Sequence, residues 1–154
     1  MRRVSVEASA RSKASPAVVY EVAKDSSRYP EWSMIGSFEH VRSGQGERYG
    51  VGSRRIYRTW PLRLFEEVTE LIPGRSVSYV VLSGMPFRNY RSSVDITLAN
   101  GVGSEIRWHS TFDPIFPGSG GGLRVFMQYV LDRMAPALAV EAERIGAQQS
   151  ETRR

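Results

Sequence analysis

The chain has 154 residues, no cysteine, 41% hydrophobic residues and a formal net charge of +5. That length favours one domain, and that apolar fraction supports a packed core and excludes a disordered chain. The absence of cysteine excludes disulfides and thiolate chemistry, and the charge is spread along the chain rather than gathered on one face, which argues against nucleic acid as a partner.

Residues 3–13 alternate apolar and polar (Val4, Val6, Ala8, Ala10). That pattern reads as a strand and not as the apolar core of a signal peptide. Arg2, Arg3, Arg153 and Arg154 sit at the two ends and are expected to be solvated. No apolar run approaches the roughly 20 residues needed to span a bilayer. The chain therefore reads as cytoplasmic, without an integral membrane segment.

Ser15-Pro16 is a helix start, with Ser as N-cap and Pro at the first helical position. Val18, Val19 and Val22 give that short helix an apolar side, and it is expected to stop near Asp25-Ser26-Ser27. A second short turn follows at Arg28-Tyr29-Pro30-Glu31-Trp32. A strand over Phe38–Arg42 leads into a glycine-rich loop from Ser43 to Gly52. Strands are expected at about Arg54–Trp60, Arg63–Ile72, Val77–Ser83, Arg88–Leu98 and Ser104–Asp113. Their breakers are Pro61, Pro73-Gly74, Gly84-Met85-Pro86 and Asn100-Gly101.

The last third, Pro117–Ala147, opens with Gly118-Ser119-Gly120-Gly121-Gly122. Leu123, Phe126, Met127, Val130, Met134, Leu138, Ala142 and Ile145 then recur at helical spacing. The glycine run lies where a phosphate loop would. It fails the dinucleotide fingerprint because Leu123 replaces the last glycine, and no Lys-Ser/Thr pair follows. It reads as a flexible strand-to-helix connection. A long helix must lay its stripe on something, and the strands before it supply an antiparallel sheet, so the fold class is α+β.

Hairpin arithmetic assigns the face under the helix. A three-residue loop at Asn100-Gly101-Val102 sets Ile96 against Ile106, Val94 against Trp108 and Tyr90 against Phe112, all on one face. A two-residue turn would oppose Ile96 to Glu105, so face matching favours the odd loop. The same logic carried across Pro73-Gly74-Arg75 and Pro61-Leu62 gives an inner face that also holds Ile56, Arg58, Trp60, Phe65, Glu67, Tyr79 and Val81. A sheet of this size curls around one helix and can leave a pocket at its wider end.

This order of elements resembles the START-like helix-grip superfamily and, within it, the polyketide cyclase/dehydrase and lipid-transport (SRPBCC) family. The resemblance rests on Ser15-Pro16 through Val22, Tyr29-Pro30-Glu31-Trp32, Val51-Gly52-Ser53-Arg54, Glu67-Val68, Tyr79 through Pro86, Ile106-Arg107-Trp108 with Phe112, and the closing helix. It implies a seven-stranded antiparallel sheet around the long helix, with two short helices after the first strand. Residues 1–147 then form a single helix-grip domain, and residues 148–154 a frayed polar tail. It also implies a deep cavity gated by loops at Gly44–Gly52 and Ser83–Phe87, and apolar ligands such as lipids, polyketides or isoprenoids. Pro136 removes a backbone hydrogen bond to Asp132. Phe126, Met127 and Val130, before it, are expected to wall the cavity, and Leu138 onward to close the core.

Three functions are compatible with these residues. The leading one is binding of an apolar small molecule, with candidate contacts Trp32, Arg58, Trp60, Tyr79, Met85, Phe87, Tyr90, Trp108, Phe126, Met127 and Val130. The second is a polyketide cyclase/aromatase or dehydratase, in which Glu67 acts as general base and Arg58 or Tyr79 polarises a carbonyl. The plainer reading of Glu67 is a bridge to Arg58 or Arg54 that joins two strands. The third is a protein-interaction module with no small-molecule ligand. His40 and His109 are the only histidines, too few for a metal site without cysteine, and neither metal nor cofactor is expected. A homodimer is compatible with the sequence.

Overall fold

The alternation of Val4, Val6 and Ala8, all buried, against exposed Ser5, Glu7 and Ser9 makes the first strand one-sided, so it needs a covered face. In the computed structural model, which describes residues 3–153, that strand is β1 (Val4–Ser12). It is followed by α1 (Pro16–Lys24), a 3-10 turn (Ser26–Arg28), α2 (Tyr29–Trp32), β2 (Ser37–Arg42), β3 (Arg54–Thr59), β4 (Leu62–Ile72), β5 (Ser76–Ser83), β6 (Phe87–Leu98), β7 (Ser104–Pro114) and α3 (Gly120–Thr152). Arg2 and Arg154 lie outside the described residues. Arg3 is not a free end: its guanidinium donates to Thr111 Oγ1 at 2.9 Å and lies 3.5 Å from Asp113.

The seven strands form one antiparallel sheet in the order β1-β7-β6-β5-β4-β3-β2. The β6–β7 register matches expectation, with Ile96 opposite Ile106 and Val94 opposite Trp108, closed by Ala99 N–H donating to the Gly103 carbonyl. Tyr90 and Phe112 are both buried but are not direct partners, because the ladder shifts between Arg88 and Arg91, where Asn89 takes φ 55°.

The larger correction is in β4. Leu71 pairs with Val77 as expected, but the ladder slips at Thr69, and beyond it Val68 pairs with Tyr79 and Glu66 with Val81. One extra residue in a strand exchanges the two faces of everything that follows. Glu66 and Val68 therefore point inward and Glu67 outward. Through the β3–β4 ladder the exchange carries to β3, where Arg55 opposes Glu66 and Tyr57 opposes Leu64. Arg58 and Phe65, expected inside, take the parity of the outer face, and Ile56 shares that parity but is buried.

Ser15 caps α1 by accepting from Val18 N–H at 3.4 Å, with Pro16 at the first position. The helix α3 starts inside the glycine run, at Gly120, and extends through Thr152, beyond the boundary expected at residue 147. It lies along β1 and β7 and is tied to β1 at three levels. Gln128 donates to the Glu7 carbonyl (2.7 Å), Ser12 Oγ to the Ala139 carbonyl (2.8 Å), and Lys13 N–H to Glu143 (2.8 Å). Pro136 and Asp132 are both exposed, so water can take the bond that proline cannot make. Beyond Pro136, Leu138, Ala139 and Ala142 are buried. Because α3 packs on the β1–β7 edge, it leaves the inner face of β3–β5 uncovered opposite its own first half. Among the described residues, no helix is long and apolar enough to cross a membrane.

Candidate binding cavity

The uncovered stretch holds a buried charged pair. Arg55 and Glu66 are 3% and 4% exposed. Arg55 donates through Nε (3.1 Å) and Nη2 (2.9 Å) to the same oxygen, Glu66 Oε1, and through Nη1 to Ser26 Oγ (2.7 Å). The rings of Tyr57, Tyr79 and Tyr29 surround the guanidinium at 4.8, 5.1 and 5.9 Å. Two of these rings are anchored by backbone near the 3-10 turn: Tyr57 donates to the Ser26 carbonyl (3.0 Å) and Tyr29 to the Ala23 carbonyl (2.7 Å). The arginine is thus enclosed by rings and acceptors, which offset its loss of water.

Burial pushes the Glu66 carboxyl above its ordinary value, against the opposing pull of Arg55. Burial also lowers Arg55, but the surrounding Tyr57, Glu66, Tyr29 and Tyr79 outweigh it and hold the guanidinium charged. Burial drives the Tyr79 hydroxyl up to about 12, so it is protonated at neutral pH.

A second polar line lies under β6 and β7. Trp108 Nε1 donates to Tyr79 Oη (3.3 Å) and Ser92 Oγ (3.2 Å), Ser110 Oγ donates to Ser92 Oγ (2.9 Å), and Tyr90 Oη shares a 2.8 Å bond with Ser110. These groups satisfy one another, as buried polar groups must.

Between this floor and α3 lies a cavity of ≈ 280 Å³. Its walls come from β3–β5 (Tyr57, Leu64, Glu66, Tyr79, Val81), from β6 and β7 (Phe87, Tyr90, Trp108) and from α3 (Phe126, Met127, Val130, Leu131, Met134). Met34, Ile35, Trp60, Pro61 and Met85 complete the rim. Gly84 sits at φ +115° in the β5–β6 turn, and a Cβ there would strike the Arg63 carbonyl, so this position requires glycine. None of Gly44–Gly52 lines the cavity; its Tyr49 stacks edge-on against Phe38 and His40 instead. On that side the rim is formed by the Met34–Ile35 segment and the Trp60-Pro61 turn.

Of the expected contacts, Trp60, Tyr79, Met85, Phe87, Tyr90, Trp108, Phe126, Met127 and Val130 come together around this space. Trp60 belongs to the rim and is 93% exposed, where an inward position was expected. Arg58 is a correction: it points outward and pairs with Glu39 at 2.9 Å. Glu67 is another, bonded on the outer face to Arg54 (2.7 Å) and Arg42 (3.1 Å), so the Arg54 bridge is the reading that holds. Trp32 is a third. It packs on Tyr29 with ring centroids 4.6 Å apart and borders a separate groove with Tyr49, Glu141 and Ile145.

Residues that strict alternation missed are Glu66, Arg55 and Tyr57. A signal existed: Leu62, Leu64 and Val68 share the parity of Glu66, and that face of β4 is more apolar than the face of Arg63, Phe65 and Glu67.

No curated protein matches the chain. Among solved structures it is similar to a START superfamily protein from Mycobacterium smegmatis (TM-score 0.79, 14% identity, covering 92% of this chain and 98% of that one). It is also similar to the Zhui aromatase/cyclase from a Streptomyces species (TM-score 0.72, 18% identity, 93% and 95%). A third likeness is to norcoclaurine synthase from Thalictrum flavum (TM-score 0.72, 11% identity, 90% and 85%). At these identities the likeness is one of fold. The family model for polyketide cyclase / dehydrase and lipid transport matches residues 3–143, and the chain belongs to that family.

Proposed function

We propose that this protein binds a small apolar molecule in the cavity between β3–β7 and the first half of α3. The observation that carries this reading is a ≈ 280 Å³ space walled mostly by apolar side chains beside the packed core. A concave, mostly apolar space with a few polar groups on its wall is the usual form of a small-molecule site. Small-molecule sites span about 300–1,000 Å³, and this space lies at the lower end of that range. That favours a compact ligand of one or two rings, or a short chain, over a two-chain lipid. Native mass spectrometry of freshly purified protein, with thermal shifts against compact aromatic and short-chain compounds, tests it. A bound small molecule or a clear stabilisation is expected. Empty protein with no shift across the panel would overturn the reading.

The cyclase or dehydratase reading moves from Glu67 to Glu66, the carboxylate on the cavity wall. It is the weaker of the two, since Arg55 already occupies Oε1 of that group. The interaction-module reading expects a filled interior and has less support.

A further inference from the structure

The cavity's polar end is chemically one-sided. Arg55 commits Nε and Nη2 to Glu66 and Nη1 to Ser26, and tyrosine rings cover its faces. It is not part of the cavity wall, whereas Glu66 is. Both Arg55 bonds fall on Oε1. Among the described residues Oε2 accepts none, yet it is not sealed in: the buried side-chain nitrogen and oxygen atoms without partners are Trp32 Nε1 and His40 Nδ1 alone. An unpartnered atom that is not sealed must face open space, and the open space bordering Glu66 is the cavity. Among the described residues Glu66 is the one carboxylate paired with the buried, charged Arg55, so it is held as that cation's counter-ion and the group presented is an anionic acceptor.

From this we infer that the ligand carries a hydrogen-bond donor, a hydroxyl, phenol or amine, which binds Glu66 Oε2, and that carboxylate-headed molecules such as fatty acids are rejected. The inference rests on the binding reading above and adds the class of head group. A donor head on Oε2 completes the carboxylate's bonding, and hydrogen bonds to buried charged groups are among the stronger ones. A carboxylate head would instead set two like charges together beside a group that is 4% exposed, where screening by water is weak. No cation on the cavity wall could offset that repulsion, because among the described residues the wall contains no Lys or Arg.

The test is calorimetric titration of the full chain at neutral pH with four probes that share one apolar body: naphthalene, naphthol, methoxynaphthalene and naphthoate, substituted at the same ring position. Naphthol is expected to bind at least about tenfold more tightly than methoxynaphthalene, which has the oxygen but no donor, and naphthoate more weakly than naphthalene. In Glu66→Gln the advantage of naphthol should shrink to less than about threefold, and naphthoate should gain. Equal binding of naphthol, methoxynaphthalene and naphthoate would overturn the donor inference and leave the cavity reading standing. Failure of all four, naphthalene included, would overturn both. If Glu66→Gln does not fold, the wild-type series decides by itself.

Discussion

Val68 stands opposite Tyr79 across β4 and β5, and Thr69 beside it has no partner, because the ladder resumes with Glu70 opposite Ser78. That single unpaired residue determines which glutamate enters the protein. It turns Glu66 toward Arg55 and the cavity, and Glu67 toward Arg54 and solvent.

The two adjacent glutamates should therefore behave differently. Glu66→Ala leaves Arg55 buried without its carboxylate and is expected to cost about 3–5 kcal/mol. Glu67→Ala breaks partly exposed bridges and should stay within about 1 kcal/mol of wild type. Urea denaturation of both variants checks this, and equal losses would contradict the register described.

Replacing both members of the buried pair should hurt less than replacing either one. Arg55→Met with Glu66→Leu removes both charges together, so neither is left uncompensated. The double variant is expected to be more stable than each single variant in the same denaturation series. A double variant as unstable as the sum of the singles would show that the pair does not act as a unit.

Filling the cavity should separate binding from folding. Val130→Trp projects an indole from α3 into the space where Val130 already forms part of the wall. Ligand-induced stabilisation is expected to vanish while the melting temperature of the free protein holds or rises, since the void is occupied rather than enlarged. A variant that still responds to ligand would move the site elsewhere.

On α3, Glu141 gives a pH signature. Its side chain is 8% exposed, and Arg144 bonds both of its oxygens at 2.7 and 2.8 Å. That bonding holds its carboxyl below the ordinary value of 4.5. A lowered folded value means the stabilisation is present in full above the unfolded value and is lost as pH falls through the folded one. Glu141→Gln should therefore melt below wild type at pH 7, with the gap narrowing at a pH below the ordinary value of 4.5. A gap unchanged between the two pH values would show that the ion pair is not its cause.

The sequence by itself determined the element order, the Ser15-Pro16 helix start, the β6–β7 register and the long helical stripe. Each is a local signal: a cap, a turn, or a periodicity that one segment carries alone. The same is true of most of the aromatic and methionine wall, because Tyr79, Tyr90, Trp108, Met127 and Val130 lie on elements whose phase is unbroken from their turns. The tertiary structure decided the charge at the end of the cavity. Side chains alternate with period two, so one bulge at Thr69 exchanges Glu66 for Glu67 and Arg55 for Arg54 and Arg58. No turn residue or glycine marks that bulge, and the apolar parity of Leu62, Leu64 and Val68 is its one trace in the sequence. It becomes visible only when Leu62, Leu64 and Val68 have to share a face with Tyr79, Trp108 and the helix that closes over them.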